Sequence, residues 1–203
     1  MQSKMRNKNT LAILKLTYIA LLTALVFVIQ LLGGSIRVGG LFSITLVLLP
    51  IVLGAALVGP IGGAWLGLVF AAAVFYTGDA NAFLAVDPFG TILTVILKGT
   101  LAGLITGLVY RLCERVKPYL RALICAAVCP IVNTGIFLLG CLIFFMPTLE
   151  EWAMASEYAS AGVYAYMIFG LCGNFIVELV TNILLAPVLV RLISMLEERT
   201  GLV

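Results

Sequence analysis

The chain consists of six apolar runs joined by short segments that carry most of its charged residues. A helix needs about 20 residues to cross a hydrocarbon core about 30 Å thick, so long apolar runs predict membrane-spanning helices. The predicted helices cover residues 11–32, 41–57, 63–76, 89–112, 122–145 and 163–195, of which the second and third are short for a full span. The pattern predicts an all-α integral membrane protein in which residues 1–203 form a single membrane domain.

The composition supports lipid as the solvent of most of the chain. Hydrophobic residues make up 63% of the 203 residues and charged residues only 10%, whereas soluble domains are roughly one quarter charged. A chain of this length still exposes much of its surface when it folds, so one globular core could not hide so much apolar area. Six helices joined by short loops in a bilayer account for both the high hydrophobic fraction and the low charged fraction.

Charged residues are divided between alternate connections. Because cytoplasmic segments of membrane proteins are enriched in Lys and Arg, the division predicts an even number of spans with both termini in the cytoplasm. The predicted cytoplasmic basic residues are Lys4, Arg6, Lys8, Lys15, Arg111, Arg115, Lys117, Arg121, Arg191 and Arg199, and the predicted outer acidic residues are Asp79, Asp87, Glu150, Glu151 and Glu157.

Several function classes have no signal in the sequence. The net charge of +3 is spread over the ends of apolar runs, so no nucleic-acid-binding face is expected. A phosphate-binding loop ends in Gly-Lys-Ser/Thr, whereas Lys98-Gly99-Thr100 has another order and lies in an apolar helix. The chain has no His, no clustered metal ligands and no nucleophile beside a base, so we expect no cofactor, no metal and no enzymatic activity. The five cysteines are expected to be packing residues.

Polar residues inside the predicted spans are the informative ones, because their burial in hydrocarbon is costly. Lys98 lies in the fourth predicted helix, and Asn133 lies in the fifth, just after Pro130. Asn174, Glu178 and Asn182 recur every four residues in the sixth helix and so share one face. The pattern predicts a polar interior shared by these three helices. Two interpretations stay open: a ligand site, or a structural Lys98–Glu178 ion pair with asparagines bonded between helices.

Outside the spans, Arg37 could cap an anionic ligand, and Asp79, Asn81 and Asp87 could belong to a lid over an outward-facing site. Ordinary solvated loop residues are the competing interpretation. In the first helix, Ala20 and Ala24 lie one turn apart and form a flat patch that another helix could approach closely.

These features resemble the substrate-binding S component of energy-coupling factor (ECF) vitamin transporters, in particular Firmicutes-type members. The resemblance covers nearly the whole chain and rests on its length, six spans, the alanine pair and several motifs. The motifs are Leu53-Gly-Ala-Ala-Leu-Val-Gly-Pro-Ile-Gly-Gly63, Lys98-Gly-Thr-Leu-Ala-Gly103, Pro130-Ile-Val-Asn-Thr-Gly135 and Asn174-Phe-Ile-Val-Glu178.

The resemblance implies a six-helix S-component bundle of the bacterial cell membrane that binds a scarce nutrient, usually a water-soluble vitamin, near its outer side. It implies docking through Ala20 and Ala24 onto a membrane T component driven by two cytoplasmic ATPase subunits. The pocket would lie between the outer halves of the last three helices and the loops after the first and third. The implied substrate-binding residues are Arg37, Asp79, Asn81, Lys98, Asn133, Asn174 and Glu178, and the basic pair of Arg37 and Lys98 would suit an anion such as pantothenate or a folate.

Two alternative functions belong to other classes. A structural membrane-scaffold protein, such as a cell-shape factor, would have a polar interior fully paired with itself. A self-sufficient secondary carrier would transport its substrate in a host without any T component.

Overall fold

A computed structural model describes residues 8–33, 37–38, 42–43 and 46–200 of the chain. Most of this backbone is helical. The α-helices are α1 (Lys8–Gly33), α2 (Leu48–Leu57), α3 (Pro60–Thr77), α4 (Asn81–Leu84), α5 (Pro88–Leu112), α6 (Pro118–Gly140), α7 (Met146–Met154), α8 (Val163–Ala165) and α9 (Gly173–Thr200). Two π-helical turns, Cys141–Phe145 and Tyr166–Leu171, follow α6 and α8, and the short strands β1 (Arg37–Val38) and β2 (Phe42–Ser43) pair antiparallel.

Within the described residues, five helical segments are long and apolar enough to cross a membrane. They are Thr10–Gly33, Pro60–Thr77, Pro88–Leu112, Pro118–Met154 and Val163–Leu196. Large apolar side chains such as Leu16 and Leu184 are exposed on their outer faces, as expected for surfaces that meet lipid. The helical architecture is confirmed. The count of six spans, the single domain and the cytoplasmic placement of both termini stay predictions.

The second predicted helix is shorter than expected. Its described α-helical part, α2, has 10 residues, which extend about 15 Å at about 1.5 Å per residue, about half of a hydrocarbon core. Leu48 and Ile51 are fully buried, as is Val47 just before the helix. The strong hydropathy of this segment therefore reflects enclosure by the other helices rather than contact with lipid along a complete span.

Proline sets where three helices begin. Pro60, Pro88 and Pro118 occupy the first turns of α3, α5 and α6, where a missing N–H costs no hydrogen bond. The third helix therefore begins three residues before its predicted start. Gly59 precedes α3 with φ 101°, a conformation that other residues rarely adopt.

The last two predicted helices are interrupted or extended. The expected loop after the fifth begins as helix instead, since the π-helical turn Cys141–Phe145 joins α6 to α7 and the helical path ends at Met154. The sixth is divided by the π-helical turn Tyr166–Leu171, and α9 starts afresh at Gly173. Glu178 consequently lies in the second turn of a new helix, not halfway along a continuous one.

Helices α3 and α5 pack backbone against backbone. A Cβ atom added to Gly63 would collide with the carbonyl oxygen of Gly103, and one added to Gly67 would collide with that of Gly99. The same collisions occur in the reverse direction. As the residue number rises along α3 it falls along α5, so the two helices are antiparallel and closely apposed through glycine.

Replacement of Gly67 by alanine is expected to force α3 and α5 apart. Overpacking of this kind costs about 1–3 kcal/mol, so the thermal unfolding midpoint of the purified protein should fall. Gly135→Ala is the matched control, because an added Cβ there meets no atom within 4 Å. An equal fall in both variants, measured by scanning fluorimetry in the same detergent, would contradict the close approach.

A polar cavity as candidate ligand-binding site

A cavity of about 370 Å³ lies between α3, α5, α6 and the start of α9. The segment from Asp79 to Phe83 and the side chain of Gln30 from α1 complete its wall. Since α3 ends and α5 begins beside it, the cavity occupies one end of this antiparallel pair. Arg111 packs against Gly59 at the other end. Its volume is within the range of small-molecule sites, about 300–1,000 Å³.

Lys98 brings a cation into this cavity from α5. Its Nζ lies 5.2 Å from the ring centre of Phe137 and 5.7 Å from that of Phe70. Ring faces attract a cation but accept none of its N–H groups as a carboxylate would. Within the described part of the chain, no ion pair within 4.0 Å joins Lys98 to Glu178. The structural ion pair considered from the sequence is therefore not present in this arrangement.

Glu178 lines the same cavity from α9 and is 8% exposed. The described residues offer its carboxyl group no hydrogen bond or ion pair. Asn182 lies one turn further along, where its Nδ2 donates to the backbone oxygen of Glu178 at 2.8 Å. Asn182 thus has a structural contact within its own helix.

Three uncharged polar side chains add to the cavity wall. Gln30, Thr94 and Asn133 are each at most 8% exposed. Gln30 Oε1, Thr94 Oγ1 and Asn133 Oδ1 have no hydrogen-bond partner among the described residues. Such atoms cost free energy when they stay unpaired away from water; the three oxygen atoms themselves are buried, although their residues line the cavity.

Asp79 is fixed by two neighbouring side chains. Its Oδ2 accepts a hydrogen bond from Gln30 Nε2 at 2.7 Å and another from Thr77 Oγ1 at 2.9 Å. The Gln30 contact ties α1 to the segment after α3. Because Gln30 Nε2 is engaged in this bond, the orientation of its amide group is set, with Oε1 buried and without a partner among the described residues.

Aromatic rings form the apolar part of the wall. Phe83 packs edge to face against Phe137, Phe145 and Trp152, with ring centres 5.7, 5.0 and 5.5 Å apart. Such clusters prefer this geometry and hold their members rigidly. The segment after α3 is thereby anchored to α6 and α7 rather than held by polar contacts alone.

The other residues singled out from the sequence differ in whether the structure places them at the cavity. Asn81 is exposed and does not line the cavity, and Asp87 accepts a hydrogen bond from the backbone N–H of Gly90 at 3.1 Å as the cap of α5. Arg37 lies in β1 and Asn174 in α9, but their side chains lie outside the described residues. Of the seven implied substrate-binding residues, Asp79, Lys98, Asn133 and Glu178 line the cavity.

Ala20 and Ala24 are both exposed on α1. They share that outer face with larger apolar residues such as Leu16 and Leu21, which are 70% and 63% exposed. The two alanines are therefore accessible on an apolar outer face of α1, and their role in docking stays a prediction.

The sequence analysis missed Gln30, Thr94 and the phenylalanines. Gln30 carried a usable signal, because it is a polar residue inside the apolar segment Val26-Phe-Val-Ile-Gln-Leu-Leu32. The phenylalanines carried none, since a ring facing a cavity and a ring facing lipid look the same in the sequence. Among the described residues, no cluster of three His, Cys, Asp or Glu side chains could hold a metal ion.

A family model described as the substrate-specific component of ECF transporters matches residues 14–190. The chain belongs to this family. No curated protein and no solved structure matches it. The resemblance drawn from the alanine pair and the glycine-rich motifs is thus confirmed.

Membership identifies the chain as a substrate-binding membrane subunit of an ECF transporter. With its apolar helices, it is a multi-pass protein of the cell membrane. Substrate-specific components bind a substrate rather than convert it, and ATP hydrolysis belongs to partner subunits. The polar cavity is accordingly the natural candidate for the substrate site.

The Gln30–Asp79 hydrogen bond can be tested by a double-mutant cycle. We expect the losses of unfolding free energy in Gln30→Leu and in Asp79→Ala to sum to about 1–3 kcal/mol more than the loss in the double variant. Each single variant already removes the same hydrogen bond to a charged group, so the double variant cannot lose it a second time. The measurement is chemical denaturation of the purified single and double variants. Pairing Gln30→Leu with Asp87→Ala should give additive losses, and additivity in both cycles would rule out the contact.

Proposed function

We propose that this chain captures a small water-soluble nutrient, a vitamin or a vitamin precursor, in the polar cavity at the outer side of the membrane. It then delivers the nutrient for ATP-driven uptake through a T component and two ATPase subunits. The observation that carries the proposal is the set of buried polar groups, Lys98, Asn133, Glu178 and their neighbours, that meet in one cavity without pairing with each other.

The outward orientation is supported by the charges at the two ends of the bundle. Asp79 and Asp87 lie at the cavity end of α3 and α5, whereas Arg111, Arg115 and Lys117 lie at the opposite end. Segments enriched in Lys and Arg stay in the cytoplasm. The cavity therefore belongs to the outer half, and both termini belong to the cytoplasmic side.

The scaffold alternative fits these observations less well. A purely structural polar interior would be paired with itself, since unpaired groups in a low-dielectric core are costly. Lys98 and Glu178, both among the described residues, instead line one cavity with no ion pair between them. Two opposite charges held apart around an open space favour a site that a ligand completes.

Docking of the T component is proposed at Ala20 and Ala24. Their small side chains leave the α1 backbone accessible, and close helix approach through small residues is a main source of helix association in lipid. Contact there would also lie on the helix that carries Gln30, so docking and the cavity wall share one element.

ATP-driven uptake is the direct test. Cells that express this chain with a T component and two ATPase subunits should accumulate a vitamin-class nutrient, and an inactive ATPase should abolish the accumulation. Thr134→Val, at another threonine that lines the cavity, should weaken nutrient binding about fivefold to tenfold, the effect of one lost hydrogen bond of about 1 kcal/mol or slightly more.

Thr106→Val is the matched control for that variant, because Thr106 is a fully buried threonine away from the cavity whose hydroxyl donates to Ala102 O at 2.7 Å. Its nutrient affinity should stay unchanged. If no nutrient accumulates in an ATP-dependent way, the proposed function is wrong.

The docking surface predicts a separation between assembly and binding. Ala20→Trp or Ala24→Trp should prevent co-purification with the T component, because an indole ring holds two helix backbones apart. Ligand binding by the isolated chain should persist. Ala72→Trp, at an exposed alanine of α3, should leave assembly intact; loss of binding with normal assembly at Ala20 or Ala24 would refute the docking role.

A further inference from the structure

Two opposite charges line the cavity, and among the described residues neither has an ion-pair partner. Lys98 presents an ammonium group and Glu178 a carboxyl group to the same space, with no contact within 4.0 Å between them. Buried charges are tolerated only when they are paired and hydrogen-bonded. A ligand that pairs with one of them alone would leave the other unsatisfied.

Glu178 is an acceptor that the described residues leave open in this cavity. Its carboxyl group has no hydrogen bond or ion pair among them, whereas Asp79 already accepts bonds from Gln30 and Thr77. Lys98 is the charged donor of the same cavity. A ligand that pairs with both charges must bring an acidic group and an N–H group.

The remaining wall suits a flat apolar body. Phenylalanines from four parts of the chain, Phe70, Phe83, Phe137 and Phe175, line the cavity. Ring faces and edges pack well against another ring. A volume of about 370 Å³ suits a compact ligand rather than one with a long tail.

We infer that the substrate is an amphoteric ring compound, with an acidic group held by Lys98 and an N–H donor held by Glu178. The inference rests on the proposed function and deepens it. It differs from the simple anion that the basic pair of Arg37 and Lys98 suggested, because such an anion would bring a negative charge towards Glu178 and leave its carboxyl group unpaired.

Three probes with one ring test this directly: L-phenylalanine carries both groups, 3-phenylpropanoate only the acid and 2-phenylethylamine only the amine. Each is added at the same millimolar concentration to the purified chain in lipid nanodiscs, and the shift of the unfolding midpoint and the calorimetric affinity are recorded. We expect L-phenylalanine to bind more tightly than either single-group probe. Equal or tighter binding of 3-phenylpropanoate, or no difference among the probes, would overturn the inference.

Two variants test which residue binds the amine of L-phenylalanine and which binds its acidic group. Glu178→Gln should remove the advantage of L-phenylalanine over 3-phenylpropanoate, and Lys98→Met its advantage over 2-phenylethylamine, each with a loss of about thirtyfold or more in affinity for L-phenylalanine. Glu151→Gln and Lys117→Met, at exposed positions, are the matched controls and should preserve the order. The probe order in the unaltered chain decides the question even where a variant does not fold.

Different uptake results would overturn the inference and the proposed function. ATP-dependent uptake of a nutrient that carries only acidic groups would overturn the amphoteric assignment and leave the proposed function standing. Absence of any ATP-dependent uptake would overturn the proposed function itself.

Discussion

Where Gly63 and Gly67 of α3 meet Gly103 and Gly99 of α5, two helices touch backbone to backbone, and the position of the cavity depends on that contact. No side chain larger than hydrogen fits between them, so the antiparallel pair has one allowed spacing. Further along, Phe70 of α3 comes within cation–π distance of Lys98 of α5. The cavity begins where the glycine contact gives way to larger and more polar side chains.

A bilayer makes the enclosure of those polar side chains obligatory. Hydrocarbon offers Glu178 or Asn133 no hydrogen-bond partner, so the groups must face protein, water or a ligand. The protein screens them with a wall of aromatic rings and with α2, a short helix that is buried along most of its length. A substrate-specific component of an ECF transporter must hold a soluble molecule within a membrane subunit, and a polar interior with an apolar exterior meets that requirement.

Hydropathy and charge were sufficient to predict the helical architecture and the helix on which Lys98 lies. They were sufficient because about 20 apolar residues have few alternatives in lipid. The same measures could not predict that α2 is short and enclosed, since burial in protein and exposure to lipid both select Leu, Ile and Val. They could not detect contacts between residues far apart in the chain, such as that of Phe145 with Phe83. Gln30 was detectable as a polar residue in an apolar segment, but its hydrogen bond to Asp79 was not.

The π-helical turn Cys141–Phe145, which joins α6 directly to α7, has a consequence for angular phase. Such a turn holds one more residue than an α-helical turn, and each residue advances an α-helix by about 100°. The extra residue therefore resets the direction of every side chain that follows in α7. A chain lacking one residue of this turn would keep the same hydropathy profile and the same spans, yet Trp152 would point about 100° away from Phe83, the ring of the cavity wall that it packs against. Two such chains would be indistinguishable as membrane proteins and different as receptors.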